Sequence, residues 1–288
     1  MFKDLFSLHG RIALVTGGSR GIGKMIAAGF LAQGAAKVYI TARKAAPCEA
    51  TAKELSAAYD GECIALPIDI STMAGIDLLA AEIRKREPKL DILVNNAGAA
   101  WGAAFDEFPE SGWDKVMNLN LKTPFFLTKA LAAPLRAAAT AERPGKVINV
   151  ASIDGIFVNP METYSYAASK SGLIHLTRRM AAKLIGDHIV VTAIAPGPFK
   201  SDMNKRRATM PMKWRRGCRR AVSAPTRTWR ARRSISPRAP AITWSAPPSR
   251  STAALFMPIR ASRATAGIRL GARAERSISP CPRHYSYS

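Results

Sequence analysis

The chain has 288 residues, 48% of them hydrophobic, and a formal net charge of +23, so it can build one large α/β domain or two small ones. No stretch of 18 or so consecutive apolar residues is present, and no apolar run follows a basic one near the start; this excludes a helical membrane span, argues against a secretory signal and leaves the cytoplasm as the expected location. The charge is divided unevenly: residues 1–204 carry 23 Lys+Arg against 19 Asp+Glu, like an ordinary enzyme, whereas residues 205–288 carry 20 Lys+Arg against the single acid Glu275. Cys48, Cys63, Cys218 and Cys281 show neither Cys-x-x-Cys pairing nor metal-ligand spacing, so reduced, non-catalytic thiols and no metal are expected.

The run Arg11–Thr16 is apolar and ends in Gly17-Gly18-Ser19-Arg20-Gly21-Ile22-Gly23, after which Lys24 to Gln33 reads as a helix closed by Gly34. Strand, glycine turn and helix in this order form a dinucleotide cradle. The glycines let the chain turn tightly and come close to a phosphate, and the helix N-terminus offers N–H groups to a pyrophosphate. Lys37–Thr41 is the second strand; where an acid would hold a ribose hydroxyl the chain has Ala42-Arg43-Lys44. Arg43, helped by Arg20, suits a 2′-phosphate, so NADP(H) is preferred over NAD(H), unless both are simply solvated surface arginines.

Cys63–Ile68 is a third strand leading to Asp69, which is placed to accept from an adenine amino group; Ala74 to Arg86 is helical. Leu90–Val94, apolar throughout, is a fourth strand of the kind buried on both faces, and Asn95-Asn96-Ala97-Gly98 lies at its C-terminal end, where open parallel sheets bind ligands. Gly112 to Ala139 is mostly helical and carries Asn120, with breaks expected at Pro124 and Pro134. Gly145–Ala151 is a fifth strand ending at Ser152. The next helix runs to about Ile185, and His188–Ile194 is a sixth strand ending in Ala195-Pro196-Gly197. Strands alternating with helices predict a doubly wound parallel sheet, a Rossmann fold in a single domain.

In the last helix Tyr166 and Lys170 stand four residues apart and so share a face. Two unit charges about 4 Å apart at an effective dielectric near 20 interact by roughly 4 kcal/mol, or about 3 pKa units. Such a lysine draws a phenol of pKa about 10 towards neutrality, where proton transfer is most useful. The spacing by itself also fits an ordinary surface turn, and Tyr164 is a competing phenol two residues away.

Taken together, Thr16 to Gly23, Asp69, Asn95 to Gly98, Asn120, Ser152, Tyr166-x-x-x-Lys170 and Pro196-Gly197 resemble the short-chain dehydrogenase/reductase family, in that family's order and spacing, from residue 5 to about 204. Within it the chain resembles the 3-oxoacyl-carrier-protein reductase branch, particularly the reductases associated with rhamnolipid synthesis. The resemblance implies roles. Tyr166 would be the general acid in ketone reduction and the base in alcohol oxidation. Lys170 would depress its pKa and bind the nicotinamide ribose, Ser152 would hold the substrate oxygen, and Asn120 would hold a water linking Lys170 to solvent. It also implies cofactor contacts from Gly17, Ser19, Arg20, Gly21, Ile22, Gly23, Arg43, Asp69, Asn95, Ala97, Gly98, Tyr166, Lys170, Pro196 and Gly197, and a homodimer through the helices holding Asn120 and Tyr166. The plainer alternatives are Ser152 as a turn cap and Asn120 as a partner for backbone groups in a bent helix.

After Asn204 the family pattern stops. A substrate-covering segment, a further helix and a final strand near a Val-Asp-Gly-Gly turn are expected there; instead residues 205–288 hold four Arg-Arg pairs, nine prolines, three of the five tryptophans and no Asp. Dense arginine with interleaved aromatics suits nucleic acid, but another explanation fits better. Back-translated with GC-rich codons and read one frame over, Arg227–Ala231 gives Asp-Met-Ala-Gly and Arg250–Ala254 gives Val-Asp-Gly-Gly, while Arg230 to Pro237 gives an apolar helix. The tail thus reads as a shifted frame of an ordinary reductase gene, expected to pack poorly or stay disordered for want of a hydrophobic period. It would leave the sixth strand without its usual neighbour.

Three functions fit the residues: an NADP(H)-dependent reductase of a 3-oxoacyl thioester or similar carbonyl; a generic short-chain reductase of sugars, polyols or steroids; and a non-catalytic cofactor-binding fold whose tail binds nucleic acid, the least favoured. The gene decides the tail's origin: an intact second reading frame across residues 205–288 is expected, and its absence removes the frameshift reading.

Overall fold

The computed structural model describes residues 6–198. The expectations placed on residues 199–288, the shifted frame and its packing included, lie outside those residues. The described chain alternates strand and helix: β1 (Ile12–Thr16), α1 (Gly21–Ala32), β2 (Lys37–Thr41), α2 (Ala45–Ala58), β3 (Glu62–Leu66), α3 (Met73–Arg86), β4 (Ile92–Asn95), α4 (Glu110–Met117), α5 (Thr123–Ala130), α6 (Ala132–Ala138), β5 (Gly145–Val150), α7 (Tyr164–Leu184) and β6 (Ile189–Ile194). All strand pairs are parallel and the order is β3-β2-β1-β4-β5-β6. Chain direction across the sheet therefore reverses between β1 and β4, which opens a crevice at their C-terminal ends. Among the described residues β6 pairs with β5 alone.

Strand alternation divides the core in two. Ala13, Val15, Val38, Ile40, Ile92 and Val94 pack with Ile26, Phe30, Cys48 and Leu55 of α1 and α2. Leu14, Tyr39, Leu93, Val147, Ile189 and Val191 pack with Ile76, Leu79, Ile83, Leu127, Leu135 and Met180 of α3, α5, α6 and α7. Each strand is apolar on both faces because each face carries its own helical layer.

Some boundaries differ from the expectations. The helix α1 begins at Gly21, inside the glycine turn, and β3 stops at Leu66, before Pro67. The helix α2 is not among the elements expected above: it buries only Cys48, Thr51, Ala52 and Leu55, a correct one-face spacing made of small or weakly apolar side chains. The long helical stretch breaks at Leu131, three residues before Pro134, whose missing N–H leaves the Ala130 carbonyl without its helical donor; Arg84 Nη1 donates to that oxygen at 3.0 Å instead.

Both described cysteines are buried, and burial pushes the Cys48 thiol up and the Cys63 thiol to about 12, so neither forms a thiolate near neutral pH. No described helix is long and apolar enough to cross a membrane, and no group of three or more His, Cys, Asp or Glu side chains among the described residues is arranged to hold a metal ion.

Candidate active site

At the C-terminal end of β1 the chain turns through Gly17 and Gly21 with φ of 65° and 56°, backbone that side chains other than glycine rarely adopt. A Cβ on Gly23 would lie 2.2 Å from the Gly17 carbonyl and 2.5 Å from Asn96 Nδ2, so the first turn of α1 can press on the loop only without a side chain there. Arg20 stands at the N-cap of α1 with extended backbone, its side chain does not cap the helix, and the first turn holds no acid, so the N–H groups of that turn are suited to an anion. Ser19 is tied down through its carbonyl, which accepts from Thr51 Oγ1 at 2.8 Å. Ile22 packs against the core cluster under α1. Arg43 is exposed just beyond β2, and Asp69 lies beyond β3 with Oδ1 accepting from the Ser71 N–H at 3.0 Å.

The exit of β4 is bonded to the exit of β1. Thr16 Oγ1 donates to the Val94 carbonyl and accepts from the N–H groups of Asn96 and Ala97, both at 2.9 Å, while Asn96 Nδ2 donates to the carbonyls of Thr16 and Gly17. Thr16 and Asn96 occur in the motifs read above but receive no role there; the structure makes them the joint between the glycine turn and the Ala97-Gly98 loop. Asn95 differs from its expected place. Its side chain turns into the core and donates to Asn149 Oδ1 at 2.8 Å and to Thr128 Oγ1 at 3.3 Å, because successive residues of a strand point to opposite faces.

Asn120 sits in a π-helical turn, Asn118–Lys122, between α4 and α5. Its buried side chain is fully engaged: Oδ1 accepts from the Ala99 N–H at 2.8 Å, and Nδ2 donates to the Ala99 carbonyl and to Ser169 Oγ. The amide thus braces the Gly98-Ala99 loop. With its amide spent on this brace, the side chain of Asn120 has no group left over for a water. Ser169, unmarked in the sequence reading, relays the brace by donating to the Tyr166 carbonyl at 2.8 Å.

Ser152, 7% exposed, closes the end of β5; its Oγ accepts from the Asp154 N–H at 3.1 Å and caps the turn Ile153–Gly155, which leaves the hydroxyl proton to donate elsewhere. Pro196 meets it from β6, its carbonyl accepting from the Ile153 N–H at 3.2 Å, and Gly197 follows in the same loop. In α7 the Lys170 Nζ is buried, donates to the Val150 carbonyl at 2.7 Å and stands 5.7 Å from the Tyr166 ring centroid. Gly98 approaches from the other side: a Cβ there would lie 3.7 Å from that nitrogen. The competing phenol is drawn elsewhere. Tyr164 packs edge-on against Phe105 and Phe108, its hydroxyl donates to Glu162 Oε1 at 3.1 Å, and desolvation followed by that carboxylate raises its pKa.

Burial lowers the Lys170 pKa from 10.5 to about 8. Between pH 8 and 10.5 the unfolded chain therefore binds a proton that the folded chain has released, so stability rises with pH across this window; below pH 8 the cost of burying the ammonium is fully felt. Wild type should gain about 3 kcal/mol over Lys170→Met as pH is raised through that window, read by urea denaturation at each pH. Parallel stability curves for the two proteins would show that the amine does not titrate there.

The comparisons with known proteins agree with this geometry. A family model described as short chain dehydrogenase matches residues 11–211. The rhamnolipids biosynthesis 3-oxoacyl-acyl-carrier-protein reductase of Pseudomonas aeruginosa is 50% identical over 206 residues, covering 72% of this chain and 79% of that protein. The 5-keto-D-gluconate 5-reductase of Escherichia coli strain K12 is 35% identical over 206 residues, covering 70% of this chain and 77% of that protein. A solved Pseudomonas aeruginosa RhlG/NADP active-site complex superposes with a TM-score of 0.75 at 45% identity, covering 81% of this chain and 90% of that one. A glycine turn joined to an Asn-Asn-Ala-Gly loop, with a buried lysine one turn beyond a tyrosine, is thus carried by a chain that belongs to the short-chain dehydrogenase family.

Proposed function

We propose that the chain is an NADP(H)-dependent oxidoreductase that interconverts a ketone and a secondary alcohol, with 3-oxoacyl thioesters as its substrate class. The observation that carries this reading is Lys170, a buried amine fixed to the Val150 carbonyl at 2.7 Å and set against the ring of Tyr166. The residues present fit the cofactor. The open N-terminus of α1 and the crowding around Gly23 suit a pyrophosphate, and Arg20 and Arg43 suit a 2′-phosphate. When bound, the nicotinamide supplies or takes the hydride.

The side chains do the rest. The Ser152 hydroxyl, its acceptor side held by the Asp154 N–H, donates a hydrogen bond to the substrate oxygen and keeps its proton. The Tyr166 hydroxyl gives its proton to that oxygen as negative charge develops and takes it back in the reverse direction. Lys170 holds the nicotinamide ribose and stabilises the tyrosinate, and a water held near Asn120 links Lys170 to solvent and returns the proton. Apolar substrate is favoured by Ile156 and Phe157, 44% and 58% exposed, which follow within five residues of Ser152, and by the greater identity to the 3-oxoacyl reductase than to the keto-gluconate reductase. Tyr166→Phe should lower turnover by about 10²- to 10⁴-fold while leaving NADPH affinity within a few-fold, measured by NADPH oxidation and by fluorescence titration. Turnover close to wild type would remove Tyr166 from the mechanism.

The same reading places the enzyme in the cytoplasm, acting as a homodimer without a nucleic-acid partner. The dimer is supported by a mostly apolar groove of about 620 Å³ at the N-terminal ends of α4 and α7, lined by Phe105, Phe108, Trp113 and Tyr164. Sedimentation at micromolar concentration should give twice the chain mass; a monomer would overturn it. Residues 205–288 are proposed to add nothing to catalysis. The family model stops at residue 211 and about a fifth of the Pseudomonas aeruginosa relative is unpaired, which supports reading most of this tail as outside the family's pattern.

A further inference from the structure

A chain of buried polar side chains crosses the sheet beneath the catalytic residues. Thr128 Oγ1 of α5 donates to the Pro124 carbonyl at 2.6 Å and accepts from Asn95 Nδ2 of β4, which also donates to Asn149 Oδ1 of β5 at 2.8 Å. Asn149 Nδ2 donates to Thr177 Oγ1 of α7 at 2.8 Å, and Thr177 donates to the Leu173 carbonyl at 2.6 Å. All four side chains are buried; the one unpartnered atom is Asn95 Oδ1.

Asn149 precedes Val150, the residue whose carbonyl receives Lys170, and Thr177 stands two turns beyond Lys170 on the same face of α7. The helix is therefore keyed to β5 at two points about 10 Å apart along its axis, at a rise of about 1.5 Å per residue. One key is the catalytic ammonium itself. Apolar packing of Leu173 and Met180 seats the helix without a preferred direction, whereas two hydrogen-bonded keys fix both its rotation and its height. We infer that Thr177 and Asn149 are positioning residues that hold Lys170 and Tyr166 in place, acting through the seat of α7 on β5. This rests on the proposed role of Lys170 in holding the nicotinamide ribose.

The test compares two ligands on the full chain by calorimetry: NADPH, which spans both halves of the cradle, and 2′,5′-ADP, which fills only the half at the glycine turn and Arg43. In Thr177→Val the hydroxyl is lost at nearly constant volume, and the ratio of the two dissociation constants should shift by about tenfold against NADPH, with 2′,5′-ADP affinity unchanged; Thr177→Ser should restore it. A loss of stability alone would not move this ratio. Should the valine variant fail to fold, Thr177→Ala, which leaves room for a water beside Asn149, should show the same shift. An unchanged ratio in a folded variant overturns the inference alone, while a wild type that binds NADPH no better than 2′,5′-ADP overturns the role of Lys170 as well.

Discussion

Everything in the site is arranged around an amine kept out of water. A lysine buried among apolar neighbours would ordinarily lose its proton, because desolvation penalises the charged form. Lys170 offsets part of that penalty by donating to the Val150 carbonyl, and its pKa settles at about 8, still charged at neutral pH and close to the range where proton exchange is fast. The carbonyl is available because β5 ends at Val150, so this oxygen does not have to serve the ladder alone. The position of the amine thus depends on where one strand stops and on how one helix lies across it.

The surrounding polar groups form two layers with different duties. Nearest the crevice, the Asn120 amide and Ser169 fasten the loop after β4 to the turn that carries Tyr166, by way of the Ala99 backbone. Below it, Asn95, Asn149 and Thr177 tie the strands to the helices. Buried polar groups are costly unless paired, so a network satisfied at all but one atom rigidifies the elements it joins. Lys170 and Asn120 belong to these layers themselves, and Tyr166 inherits their rigidity through Ser169.

Much of this was legible in the amino-acid order. Glycines between an apolar run and a helix, and asparagines at a strand end, announce themselves because they are demanded by local backbone geometry and by sheet polarity. What could not be read was orientation. Asn95 and Asn96 are identical neighbours, yet one supports the core and the other the glycine turn, a difference set by strand parity. Asn120 reads as a polar residue in a helix; that its side chain serves the Ala99 loop depends on the π turn that carries it. The helix α2 escaped notice because its buried stripe is Cys, Thr and Ala, too weakly apolar to stand out, and Ser169 because a small hydroxyl in a helix carries no signal until its neighbours are known.

The joint between Thr16 and Asn96 spans 80 residues of sequence. Local folding cannot make it, since closing so long a loop costs entropy before any contact repays it. During synthesis this joint cannot close until the end of β4 has left the ribosome, so the nucleotide cradle is completed only after nearly a hundred residues have been made.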